Sequence, residues 1–402
     1  MTANQAPRKA PERVIDLAAA RQRHTPQAEQ LVALLTAGDP LADAVVVELD
    51  LYGRQARQAL DTGLKGGLAS LDDQPSTAIT ALLKELEATP SWVDPLTLHR
   101  GDVVSQSVPP MWSGLCSITS ALAHTYASPA VARLLARSGT PTNTASRSLV
   151  ETAVWARQIV RPGGLLRGRQ GYVATAELRL SHARMRAMSL TDWDMGAPGL
   201  PIGQLDMART WLGFTLVAYR ALAAVGIQIS PEEERRLYQY WSYAAHLLGL
   251  DERLHKGVAD HAGARRLQDL LDSVTPPPDE NSRALTAAMV EGQAHAMAGA
   301  PGITLPEEQL SALMYTVLRQ TFGEQASDRM GLPVPATPDL MPLIGTLNRQ
   351  ARHWQALFPA SAREAHRRAL EESGPDVVPR VLRCGVRRRQ SSGAGPSQFP
   401  AA

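Results

Sequence analysis

The segment Glu177–Arg186, "ELRLSHARMR", places His182 in a run with helical spacing, with Leu178 one turn before it and Met185 one turn after. Arg179, Arg184 and Arg186 crowd the same segment. An imidazole on an apolar helical stripe reads either as a hydrogen-bonded core residue or as a ligand. Arginines on such a helix read first as a solvated flank. Together the two features match one chemistry. Haem iron takes an axial ligand from an apolar wall, commonly a helical histidine, and its propionates take cationic partners, which arginine supplies in bidentate form. Lysine occurs only at Lys9, Lys65, Lys84 and Lys256, so guanidinium is the cation this segment offers.

The helical pattern extends outward from that segment. Ala/Leu/Arg/Glu stretches with a 3.6-residue period recur and strand-type alternation is nearly absent, which predicts an all-α fold. "STAITALLKELEA" (Ser76–Ala88) predicts a helix with Ser76 as its N-cap. "GLCSITSALAHTYASPAVARLLARSG" (Gly114–Gly139) predicts an apolar helical run broken near Ser128-Pro129 and closed by glycine. "SRSLVETAVWARQIV" (Ser146–Val160) predicts a helix stopped by Pro162-Gly163-Gly164, and "QLDMARTWLGFTLVAYRALAAVG" (Gln204–Gly226) predicts another. At Ser230–Leu250 the start signal is explicit: Ser230 as N-cap, Pro231 at the first helical position and Glu233 closing a capping box. "LPEEQLSALMYTVLRQTFG" (Leu305–Gly323) repeats that Pro-Glu-Glu opening, without any fixed-period repeat along the chain. Residues 25–375 therefore read as a single helical domain. Residues 1–24 and 376–402 read as disordered, the latter because "RRRQSSGAGPSQFPAA" has too little apolar surface to order itself.

Composition excludes several classes. Of 402 residues, 44% are apolar and 20% charged, enough for an ordinary core. A net charge of +2 lacks the concentrated basic face of a nucleic-acid binder. The two cysteines, Cys116 and Cys384, are too few for a disulfide framework or a zinc cluster. The first residues, "MTANQAPRKAPERVIDLAAARQRH", show no apolar signal core, and no stretch reaches the ~18 uncharged apolar residues of a membrane span. A cytoplasmic protein with no membrane span is the expectation. A single Glu-x-x-His pair, Glu252 and His255, falls short of the two a di-iron bundle requires and reads as an exposed helix-end pair. There is no His-Glu-x-x-His, P-loop, Gly-x-Gly-x-x-Gly or Gly-x-Ser-x-Gly, so zinc protease, NTPase, dehydrogenase and α/β-hydrolase readings lack support.

Five segments, in order and spacing, resemble the latex-clearing-protein (rubber oxygenase) family, whose haem domain is shared with a fungal prenyl-chain-cleaving oxygenase. They are "GDPLADAVV" (Gly38–Val46), "TPSWVD" (Thr89–Asp94), "LRLSHARMR" (Leu178–Arg186), "GLPIGQLDMARTWLGF" (Gly199–Phe214) and "SDRMGLP" (Ser327–Pro333). The likeness covers roughly Gly38 to Gly345, with Gly203 where the family usually has asparagine. The resemblance implies one all-α domain with a globin-like core around one b-type haem. It implies His182 as the iron ligand, Arg184, Arg179 and Arg186 as propionate anchors, and Thr152 in "SLVETA" on the distal side. It further implies O2 as co-substrate, attack on a C=C bond, and a reductant as a partner alongside an apolar substrate. Polyisoprene is extracellular, so without an export signal the expected substrate is a small intracellular prenyl- or alkene-type molecule.

The chain departs from the family around Thr152. Ser148 occupies the place of an arginine, with Arg147 beside it, and Glu151 stands where some members carry a lysine. Five residues turn a helix by about 500°, so Arg147 points off the Thr152 face. Between Asp102 and Glu151 there is no acidic residue, which leaves Glu151 as the nearby candidate for general-base work. His124 reads as a core histidine or as a residue lining the distal pocket. Two alternatives to an oxygenase stay open: a non-catalytic haem-binding protein and a cofactor-free helical interaction scaffold.

Overall fold

An apolar composition around the whole circumference of a helix requires burial on every side, and Gln204–Ala224 has that composition. In the computed structural model, which describes residues 31, 33–71, 76–189, 200–300, 303–336, 340–358, 360 and 364, this stretch lies at the centre. All described elements are helical. We number the longer helices α1 (Pro40–Gly66), α2 (Thr77–Glu87), α3 (Thr119–Tyr126), α4 (Pro129–Ala136), α5 (Pro141–Val160), α6 (Gln170–Ser189), α7 (Gln204–Leu212), α8 (Ala218–Ala224), α9 (Pro231–Leu247), α10 (His261–Asp272), α11 (Glu280–Ala298), α12 (Glu307–Phe322) and α13 (Met341–Leu357). The segments expected to be disordered, 1–24 and 376–402, lie outside the described residues.

A π-turn, Gly213–Val217, joins α7 to α8, and a second, Ser113–Ile118, leads into α3. The two turns touch each other. At Gly213 the central stretch approaches α3 closely, since a Cβ there would lie 3.1 Å from the carbonyl oxygen of Ala121. Several polar groups on the buried stretch find partners. Asp206 accepts from Ser128 Oγ at 3.1 Å, Arg209 Nη1 donates to Asp272 at 2.5 Å, and Trp211 Nε1 donates to the Trp241 carbonyl at 2.9 Å.

Local signals in the sequence are obeyed where the required partner is local. The Ser230/Glu233 capping box forms with both bonds, 3.2 and 2.8 Å, and Pro231 takes the first turn of α9. The break at Ser128-Pro129 separates α3 from α4. Ser76, by contrast, makes no capping bond. The first amides of α2, those of Ala78 and Ile79, donate instead to the two carboxylate oxygens of Glu48 on α1, at 2.8 and 3.1 Å. A charged acceptor brought by tertiary packing displaces the local hydroxyl. Helix α5 also begins a turn earlier than its periodicity suggests, at Thr140-Pro141, where the Thr140 hydroxyl accepts from the Asn143 amide at 3.4 Å.

Candidate functional site

Helices α5 and α6 form an antiparallel hairpin. Trp155 Nε1 donates to Thr175 Oγ1 at 3.1 Å, and the bare Cα of Gly171 lets α6 start against the Gln158 carbonyl. That register places the site residues. His182 lies two turns beyond Thr175 and Ser148 two turns before Trp155, each roughly 10 Å along its axis at 1.5 Å per residue. Ser148 is therefore level with His182, while Thr152 stands one turn nearer the Trp155–Thr175 bond.

His182 is half-buried, and its Nδ1 is buried without a hydrogen-bond partner. Loss of solvation, reinforced by Arg186 and opposed by Asp39, pushes its pKa down to about 4. The ring is neutral at pH 7 and keeps a lone pair available to a metal.

The arginines of the segment meet a row of carboxylates. Arg179 donates Nε and Nη2 to Asp39 at 2.5 and 2.9 Å and Nη1 to Glu85 at 2.7 Å. Arg186 donates Nε and Nη2 to Asp43 at 3.0 and 2.7 Å and Nη1 to the carbonyl of Ile202 at 2.8 Å. Ile202 has φ 49°, a backbone region that a β-branched residue rarely occupies, and Arg186 holds it there. Arg184 reaches Asp50 at 3.0 Å through Nη1, and its buried Nη2 has no partner. Asp39, Asp43 and Asp50 sit at spacings of four and seven, one stripe at the start of α1. All three guanidinium nitrogens of Arg179 and of Arg186 thus donate to the chain itself, and of the three arginines only Arg184 keeps a buried guanidinium nitrogen without a partner for a propionate. Gly249 closes the cluster with φ 73°; a Cβ there would fall 2.5 Å from Arg179 Nε. Gln204 ties three loops together, donating to the carbonyls of Gly38 (2.9 Å) and Gly249 (3.0 Å) and accepting from the Asp251 amide (2.8 Å). Sequence reasoning passed over Gln204 and the Asp39/Asp43/Asp50 stripe; the acid spacing is the legible signal.

On α5, Thr152 is half-buried and Glu151 exposed. Burial nonetheless raises the Glu151 carboxyl above its ordinary range, against the pull of Arg147. Arg147 is exposed and donates Nη2 to Ser138 Oγ at 3.0 Å, off the Thr152 face as the helix angle requires. One turn past Thr152, Ala156 lines a cavity of about 310 Å³, with Val108, Ile118, Ala153, Phe214 and Trp241 among its apolar walls. Phe214 and Trp241 stack at 5.4 Å, and Trp155 meets both edge-on. Behind them, Asp102 accepts from Trp241 Nε1 at 2.8 Å and from Ser105 Oγ, and Ser105 Oγ lies 2.9 Å from the Tyr219 hydroxyl. Burial lifts the Asp102 carboxyl above its ordinary range.

The remaining histidines fall elsewhere. His124 is a buried residue that lines a separate cavity, not the one beside Thr152. The exposed pair expected at Glu252 and His255 does not form. His255 is fully buried, and Glu252 turns to Lys256 at 3.1 Å, because the short helix presses the imidazole against Trp92 and Trp211. No group of three or more His, Cys, Asp or Glu suited to a metal ion occurs among the described residues. No described helix is long and apolar enough to cross a membrane.

Comparison with known proteins gives three likenesses. The model of the "ER-bound oxygenase mpaB/B'/Rubber oxygenase, catalytic domain" matches residues 103–358. The rubber oxygenase of Streptomyces sp. (strain K30) is 26% identical over 296 residues, which is 72% of this chain and 66% of that protein's length. The solved structure of latex clearing protein LCP in its closed state superposes with a TM-score of 0.63 at 19% identity, covering 84% of this chain and 90% of that one, a likeness of fold.

Proposed function

Because the chain belongs to the ER-bound oxygenase mpaB/B'/rubber oxygenase catalytic-domain family, we propose that it directs O2 at a C=C bond of a small apolar, prenyl- or alkene-type substrate, with a haem b held by His182. The observation that carries the haem assignment is the place of a neutral, half-buried His182 ring, its Nδ1 bare, across the α5–α6 hairpin and one turn from the level of Thr152. A bare buried nitrogen costs about 1–3 kcal/mol wherever it occurs, and His124, His246 and His255 carry one too, so it is the position facing Thr152 that singles out His182. A bound haem b would supply O2 binding and activation. Arg184, through its unpaired Nη2, is the donor assigned to an anionic edge of that group. Arg179 and Arg186 position the segment. Thr152 offers a hydroxyl on the distal side, and the cavity one turn away takes the substrate body against its apolar wall of Ile118, Phe214 and Trp241. Glu151 holds or releases a proton at its carboxylate, and the adjacent Arg147 charge keeps that carboxylate from rising further.

The test is the visible absorption spectrum of the purified, haem-supplemented protein beside His182→Ala. A Soret band in the parent and its loss in the variant is the expected outcome. A colourless parent, or a band that survives the substitution, removes His182 as the ligand and favours the scaffold reading. O2 uptake with a prenyl alkene then separates an oxygenase from a haem protein without turnover.

A further inference from the structure

A second cavity, of about 500 Å³, is lined by His124 of α3, Arg209 of α7, Arg220 of α8 and Phe322 of α12, together with Arg329 and Met330. Neither His182 nor Thr152 reaches it. Two of its lining side chains carry a bare nitrogen. His124 is 2% exposed and its Nε2 has no hydrogen-bond partner; Arg209 is 6% exposed and its Nε has none. Asp272 satisfies only Nη1 of Arg209. Among the described residues no hydrogen bond reaches the Arg220 side chain, whose charged neighbours are Arg265, Asp272 and Asp269. The lining holds Arg209, Arg220 and Arg329 against Asp272, three positive charges less one negative, an excess of two. Phe322 stacks on His124 at 6.3 Å, and Pro276, Pro277 and Pro278 add apolar lining.

Bare nitrogens beside three guanidiniums that share a single lining carboxylate suit an anion. His124 is kept neutral by burial and by Arg209 and Arg220, so its ring contributes a hydrogen bond rather than a third charge. A carboxylate offers two oxygens and one charge, whereas a phosphate monoester offers three oxygens and up to two charges. We propose that this cavity binds a small organic phosphate, its dianion on Arg209, Arg220 and His124 and its apolar part against Phe322, Met330 and the Pro276–Pro278 wall. The assignment is independent of the haem at His182.

Titration calorimetry on the full chain with phenyl phosphate, benzoate and inorganic phosphate tests this. Phenyl phosphate is expected to bind saturably, at least about tenfold tighter than either of the others. Arg220→Gln, at a half-buried position with no hydrogen bond to lose, is expected to weaken it about tenfold while leaving the thermal melt unchanged. His124→Phe keeps the stack on Phe322, removes the donor, and is expected to weaken binding as well. No saturable binding at millimolar concentration, benzoate binding equal to phenyl phosphate, or an unchanged affinity in Arg220→Gln overturns the proposal. Inorganic phosphate binding as tightly as phenyl phosphate overturns the apolar half of the site.

Discussion

His255 has both ring nitrogens buried and bare, and burial, then the neighbouring His246, push its pKa from the ordinary 6.5 down to about 4. The consequence for stability has a definite sign. The unfolded chain takes up a proton at this residue as pH falls through about 6.5, while the folded chain resists until about 4. Stability from this group is complete above that window and declines across it, by at most about 3–4 kcal/mol. The melting temperature should therefore fall between pH 7 and pH 4.5, and His255→Phe should flatten the dependence. An equal slope in the variant would assign the acid sensitivity to other groups. The same residue shows what single-residue reading misses. The spacing of Glu252 and His255 is consistent with a surface pair, and only the packing of Trp92 and Trp211 over the short helix, contributed from distant segments, buries the imidazole.

Between elements, the most demanding contact is the row of α1 carboxylates on the α6 guanidiniums. Arg179 is 3% exposed, and Asp39 lends it two oxygens. Removing one member leaves a buried charge unpaired, so Arg179→Met should cost about 3–5 kcal/mol by denaturant unfolding. Asp39→Asn with Arg179→Met should recover part of that loss. A double variant as unstable as the sum of the two singles would show that the pair is not coupled. Helix positions were legible because apolar periodicity and caps such as Ser230/Glu233 are local properties. The arginines were not. A guanidinium fits a propionate and an aspartate equally well, and the choice rests on Asp39, Asp43 and Asp50 arriving from more than a hundred residues away. Ser76 repeats the lesson, its capping place taken by Glu48.

For the molecule as a whole, the all-α architecture follows from composition and period, and the fold likeness to latex clearing protein agrees with it. The cavity beside Thr152 has no comparable sequence signal, since its walls come from α5, α9, the π-turns and their flanks. Filling it should separate substrate from cofactor. Ala156→Phe is expected to lower kcat/KM toward an alkene at least about tenfold while the Soret band stays in place; unchanged O2 uptake would move the substrate elsewhere. The two π-turns, Ser113–Ile118 and Gly213–Val217, carry a further implication. A π-turn accommodates one residue more than an α-turn and leaves the helix on either side in phase. At these two places the helices can absorb a change of length: a homologue one residue shorter there keeps every downstream face, and an alignment that opens its gap in a loop instead would misplace the residues between the turn and that loop.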